Sequence, residues 1–290
     1  MRCFETIIQL FPEKIASQIK VLTAEYNILP EEIRVRRGQP LCIRSQNKEF
    51  TLNEIVSAND IAYIMMSATN GSFHSSQDTL KKGYLPLKHG ARLGFCGEAA
   101  TSQGEIRNIR NITSICIRVA HQIPGCADEI YPQITTPYYK NTIIIAPPGM
   151  GKTTLLRELI RLLSNNGYYV CVADERGEIA GMYRGMPEFD LGSRSDVSVG
   201  ISKQQSSMMM LKTMAPDILA MDEITALQDT PAIIEAIGCG VGLLTTMHGR
   251  TVSDIKKPSF MEIYETHAFE YAILIRNSNG ERIYTLEKLE

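Results

Sequence analysis

At 290 residues the chain is long enough for two domains with separate cores, and 44% hydrophobic with 21% charged residues is the make-up of a globular rather than a disordered chain. A net charge of −2, with 15 Lys/Arg against 13 Asp/Glu in residues 1–130 and 15 against 19 in 131–290, argues against a dedicated nucleic-acid surface. No stretch approaches the roughly 18 apolar residues of a membrane span, "MRCFETIIQLFPEKIASQI" lacks a signal peptide's apolar run and cleavage site, and seven scattered cysteines without a C-x-x-C pair read as reduced cytosolic thiols.

Residues 1–130 read as an α+β domain. "IRVRRGQPLCIR", "ARLGFCGEAA" and "SICIRVA" are strand-like, and a helical piece is predicted around "TLNEIVSANDIAYIMMSA". Arg34 and Arg36 alternate with Ile33 and Val35, which predicts the solvated face of a strand in preference to a phosphate-contacting patch. Prolines and short polar residues in "IPGCADEIYPQITTPYYKN", residues 123–141, predict the linker region.

Residues 131–290 change to strands and helices in alternation. Four nearly apolar runs, 142–146, 168–173, 217–221 and 241–247, are expected as strands covered on both faces. Between the first two, Leu156, Leu159, Ile160 and Leu163 fall at helical spacing, and Asn165-Asn166-Gly167 supplies a stop. Met208, Met209, Met210 and Met214, before the third run, are expected as core filler. Repeated β–α–β units with right-handed crossovers predict an open, mostly parallel sheet, so the fold class is α/β with ligands beyond the strands' carboxyl ends. Asn279-Gly280 between two alternating runs predicts a closing β-hairpin.

A distinct group follows each predicted strand. After the first comes "APPGMGKTT", a phosphate-binding loop of the pattern G-x-x-x-x-G-K-[ST] with Ala146 in place of the first glycine. Pro147 and Pro148 have no N–H to give, so Gly149, Met150, Gly151, Lys152, Thr153 and Thr154 are the expected donors. Ala146 is tolerable there provided its φ stays negative. After the second strand come Asp174-Glu175-Arg176, after the third Asp222-Glu223, and after the fourth His248.

In a parallel sheet all of these reach one edge. There Lys152 serves the outer phosphates of ATP, Thr153 and Asp222 hold Mg²⁺, Glu223 activates water, and His248 senses the γ-phosphate. Each has a plainer alternative. Asp222-Glu223 alone is a solvated strand end, His248 alone a structural histidine, and Asp174-Glu175 a charged loop paired with Arg176.

The succession "APPGMGKTTLLREL", "VCVADERGEIAGMYRGMPEFDLGSRSDV", "MMMLKTMAPDILAMDEI" and "GLLTTMHG", with "GYLPLKHGARLGFCGEA" and "IRNITSICIRVA" earlier, resembles the sporulation stage III AA family. These are mother-cell ATPases of endospore-forming bacteria, a branch of the type II/type IV secretion ATPase superfamily. The resemblance implies a RecA-like P-loop core whose Walker A, Asp box, Walker B and His box hold Lys152, Asp174-Glu175, Asp222-Glu223 and His248. It implies six-fold rings with domains that swing on hydrolysis, and membrane-protein partners of a sporulation channel complex. It also admits Glu175 as the general base, and Arg92, Arg118, Arg176 or Arg194 as the arginine that reaches the γ-phosphate. Relatives with a long C-terminal domain and a four-cysteine zinc site find no counterpart in residues 249–290.

The expectation is an ATP-driven secretion-type motor in the mother-cell cytoplasm, peripheral to the membrane through partners. Its rivals are a RecA-like nucleic-acid translocase, for which the weak charge and lack of Trp give no support, and a nucleotide-dependent scaffold with little turnover.

Overall fold

The computed structural model describes residues 2–45, 48–69, 71, 83–102, 105–278 and 281–289. The chain forms two compact units, Met1–His121 with Gly181–Glu188, and Gln122–Ala180 with Phe189–Glu290.

In the first unit, helices α1 (Arg2–Ile8), α2 (Glu13–Glu25) and α3 (Ala58–Ala68) accompany six strands, β1 (Glu32–Arg36), β2 (Pro40–Ser45), β3 (Lys48–Ile55), β4 (Tyr84–Pro86), β5 (Arg92–Ser102) and β6 (Glu105–Arg118). The sheet order is β3-β2-β1-β6-β5-β4, with every neighbour antiparallel. Ile33 and Val35 of β1 enter one core with Ile7, Ile15, Ile19 and Ile64 of the helices. Arg36 faces solvent and Arg34 pairs with Glu32, as the alternation predicts. The helix expected around residues 51–68 begins later. Residues 51–55 complete β3, and Ser57 caps α3 through a capping box with Asp60.

The second unit opens with the stretch expected as a linker. It holds the short helix α4 (Tyr131–Thr135) and buries Ala127, Ile130 and Ile134. Strands β7 (Thr142–Ala146), β8 (Val170–Asp174), β9 (Ser195–Val199), β10 (Ile218–Met221), β11 (Gly242–His248), β12 (Tyr271–Ser278) and β13 (Glu281–Lys288) follow. They form one sheet in the order β13-β12-β7-β11-β10-β8-β9. All pairs are parallel except β12 with β13. Those two strands pair antiparallel as expected, whereas the predicted Asn279-Gly280 turn lies outside the described residues.

Helices α5 (Lys152–Asn165), α6 (Lys203–Thr213), α7 (Ala226–Gly238) and α8 (Met261–Glu265) complete the unit. Leu155, Leu156, Leu159, Ile160 and Leu163 of α5 are fully buried, which matches the predicted stripe. Of the four methionines on α6 and at its C-cap, only Met210 is buried. Met208 is half-buried, and Met209 and Met214 are 48% and 46% exposed, which corrects their reading as core. The cause is geometric: α6 buries a narrow face of Ser206, Ser207 and Met210, too narrow for a run of three adjacent methionines to enter together.

Candidate nucleotide site

Strands β7, β8, β10 and β11 run parallel, so the residues that follow them meet at one carboxyl edge. Ala146 is buried at the end of β7 and keeps a negative φ, so its methyl group costs the loop nothing. The loop then turns through Gly149 and Gly151, with φ of +75° and +90°, conformations that a side chain would strain. α5 starts at Lys152. Among the described residues, the N–H groups of Gly149 through Thr154 donate no backbone hydrogen bond. The loop therefore presents an uncommitted row of donors at a helix N-terminus, where the dipole also favours an anion.

Lys152 is 5% exposed. Its Nζ donates to the carbonyl oxygens of Ala146 at 3.1 Å and Pro147 at 3.2 Å, and meets His248 Nδ1 at 2.9 Å. Burial pushes this ammonium below the usual lysine range, and the nearby Asp222 and Glu223 charges offset part of the effect. A buried ammonium that rests on carbonyls and an imidazole is a charge still to be matched.

Asp222 Oδ2 accepts from the Thr153 hydroxyl at 2.6 Å, and Oδ1 accepts from the Thr246 hydroxyl and from the Glu223 N–H. This hydroxyl and carboxylate, both hard oxygen donors, suit Mg²⁺ held beside a polyphosphate. Glu223 has φ of +49°, an uncommon conformation for a residue with a side chain. It is held there from three directions. Its N–H donates to Thr246 Oγ1 at 2.8 Å, while Lys203 Nζ donates to the carbonyls of Asp222 (3.1 Å) and Glu223 (2.5 Å). Lys203 is itself fixed by Asp229 at 3.0 Å, an almost buried ion pair that also anchors the start of α7 through the Thr225 N–H.

The consequence is a bridge across the crevice. The Glu223 carboxylate meets His248 Nε2 at 3.2 Å and Arg176 Nη1 at 3.5 Å. Because Lys152 donates to Nδ1, the His248 proton belongs on Nε2 and points to Glu223. Lys152, His248 and Glu223 thus form one chain of hydrogen bonds.

The two acids after β8 separate. Asp174 is buried and turned inward, its Oδ1 accepting from the Glu178 N–H at 2.8 Å and Oδ2 from the Ala180 N–H at 2.9 Å. Burial raises its carboxyl above the usual range despite these bonds. Arg157 of α5 clamps the same turn, donating to the carbonyls of Ile179 (2.6 Å) and Glu178 (2.8 Å) beneath the Phe189 ring. Burial lowers its guanidinium to about 10. Glu175 is exposed.

Among the arginines, Arg176 stands in the crevice. Arg194 does not: its neighbours are Gly167 and the Tyr169 ring, ahead of β8 at the opposite edge, because it precedes β9 rather than following a strand. Arg92, over the Tyr84 ring at 3.8 Å, and Arg118, 3.8 Å from Glu32, belong to the first unit.

Lys203, Thr246, Asp229 and Arg157 were not legible in advance. Lys203 opens a helix and touches residues 19 and 20 positions away, and Thr246 lies in an apolar strand, so neither carries a local signal. Arg157 interrupts an apolar helix face where a charge is out of place, and that anomaly was the available clue.

The chain matches the family described as sporulation stage III, protein AA, over residues 1–285. It is 33% identical over 280 residues to stage III sporulation protein AA of Bacillus subtilis, covering 94% of this chain and 91% of that protein. In fold it resembles the Legionella pneumophila ATPase DotB, with a TM-score of 0.63 at 16% identity over 96% of this chain and 81% of that one. It likewise resembles the pilus retraction motor PilT, solved with bound ADP, with a TM-score of 0.60 at 14% identity over 93% and 82% of the two chains. The core is the RecA-like fold of the secretion ATPases, and the chain belongs to the sporulation stage III protein AA family.

Proposed function

We propose that this sporulation protein is a secretion-type ATPase that binds ATP in the crevice and hydrolyses it. The observation that carries the reading is Lys152, a buried ammonium beside an unpaired row of loop N–H groups, with carbonyls and an imidazole in place of a carboxylate partner. An outer phosphate supplies the charge that this arrangement lacks.

In this reading Gly149 through Thr154 cradle the phosphates and Lys152 turns from the Ala146 and Pro147 carbonyls to the β- and γ-phosphates. Thr153 and Asp222 hold Mg²⁺, which when bound neutralises charge on the transferring group. Glu223, oriented by Arg176 and His248, accepts a proton from water as the water oxygen attacks the γ-phosphorus. The bond to the β–γ bridging oxygen breaks, leaving ADP and phosphate. His248 loses its Lys152 partner when phosphate arrives, so its link to Glu223 reports the state of the site. Glu175 is the second candidate base. Asp174 serves by shaping the turn after β8.

The wider reading is a motor. Six-fold rings and membrane partners, cytoplasmic placement and coupling to a channel between mother cell and forespore accord with the family and with the motor fold. Among the described residues no helix is long and apolar enough to cross a membrane. A Lys152→Ala strain should accumulate normal amounts of protein and fail to complete spores. Normal spores from that strain contradict the role.

A further inference from the structure

Sheet order separates the two sides of the phosphate loop. Strand β11, which ends at His248, and strand β10, which Asp222 follows, lie on one side of β7, and β12 and β13 lie on the other. The pairing of β12 with β7 ends at Leu274 opposite Ile145, yet β12 continues to Ser278. Its last residues therefore project about 10 Å past the end of β7, to the level of the phosphate loop. Arg282 of β13 pairs with Asn277 in this projecting portion.

The side chain reaches the loop. A Cβ built on Gly151 would lie 3.0 Å from Cζ and Nη1 of Arg282 and 3.1 Å from Nε. The guanidinium thus covers the glycine that immediately precedes Lys152, on the side away from Asp222 and His248. Its charge also acts on the neighbouring Tyr284 and Cys126.

We propose that Arg282 of the C-terminal hairpin binds the α-phosphate of the nucleotide, fixing the inner end of the chain whose outer end Lys152 holds. The proposal rests on the loop being a nucleotide site and deepens that reading. A triphosphate seated on the α5 N-terminus, with its outer end toward Asp222 and His248, leads its α-phosphate to the Arg282 side. A guanidinium fork is suited to take two phosphate oxygens there.

Such a contact is common to ATP and ADP, which separates it from any γ-phosphate contact. Titration calorimetry of the full chain with Mg-ADP and with Mg-β,γ-imido-ATP tests it. Arg282→Ala should raise Kd for both nucleotides by the same factor, about tenfold to a hundredfold, and Arg282→Lys should recover part of the loss. Arg282→Gln guards against a folding defect, since it keeps the stem and should also weaken both nucleotides while melting near the wild-type temperature without ligand. Affinity within twofold of wild type in the Gln and Ala variants, with binding abolished in Lys152→Ala, overturns the Arg282 assignment and leaves the nucleotide site standing. Weaker binding of the ATP analogue with ADP spared also overturns it, because the contact then belongs to the γ end. If the wild-type chain binds neither nucleotide, the underlying site reading falls as well.

Discussion

Lys152 is a residue whose interests in folding and in function oppose each other. Its burial disfavours its charge, the same charge that the proposed phosphate contact needs, so on that proposal ligand would remove a cost that the nucleotide-free protein carries. Lys152→Met keeps the stem and deletes the charge. Its melting temperature without nucleotide should equal or exceed that of wild type, and the upward shift on adding Mg-ADP should vanish. A variant that melts far lower without ligand would mean that the three bonds of Nζ outweigh the desolvation. The two candidate bases separate in the same way by geometry. Glu223 is tied to His248 and Arg176, while Glu175 is exposed. Glu223→Gln should lower kcat at least a hundredfold with nucleotide affinity kept, and Glu175→Gln should lower it less. The reverse ranking moves the base to Glu175. Sequence order placed Lys152, Thr153, Asp222, Glu223 and His248 at one sheet edge because each lies at, or a short loop beyond, the carboxyl end of a strand. It gave no sign that Asp174 turns inward, since that depends on the N–H groups of Glu178 and Ala180 curling back onto one carboxylate.

At the scale of elements, α5 carries both the loop and the core. Leu159 is fully buried among the helix's other leucines, and Leu159→Ala should cost about 2–5 kcal/mol in urea unfolding. A loss under 1 kcal/mol would contradict the tight seat of the helix on β7, β8 and β11. The turn after β11 depends on Asp254, which accepts the N–H groups of Arg250 and Thr251 and pairs with Lys257 at 2.6 Å. These contacts pull its carboxyl down to about 2. A depressed carboxylate stabilises above the unfolded value near 4 and loses that contribution as pH falls toward about 2. Asp254→Asn should therefore lie about 1 kcal/mol below wild type at pH 6, with the gap narrowing between pH 4 and pH 2. A gap independent of pH would assign the effect to packing instead. The elements themselves were largely readable, because strands covered on both faces give apolar runs and α5 repeats at helical spacing. β9 was missed, for "SDVSV" at the sheet edge has no apolar run, its residues being half-buried or exposed. The β3–α3 boundary was misplaced because the apolar residues of the strand merge with those of the helix, leaving only Ser57 to mark the join.

At the scale of the molecule, two units with separate cores share one chain that returns from the second to the first at Gly181–Glu188. That return could not be foreseen, because "GMYRGMPE" contains two glycines and a proline and reads as an ordinary loop. Within the first unit the returning segment is fastened by Glu188, which accepts the backbone N–H of His89 and lies 3.2 Å from its ring. The sheet order of the second unit was likewise beyond local pattern. Alternation predicts parallel strands but not that β11 would lie directly beside β7 and bring His248 against Lys152. That adjacency brings the phosphate loop, Asp222-Glu223 and His248 into one crevice, where the proposed function has ATP cleaved. The most direct measurement is phosphate release from Mg-ATP by the purified full chain, wild type and Lys152→Ala side by side. Release by the wild-type chain should stop on chelation of Mg²⁺ and fall at least a hundredfold in the variant; equal rates in the two, or no release from wild-type protein shown to bind ATP, would contradict hydrolysis at this site.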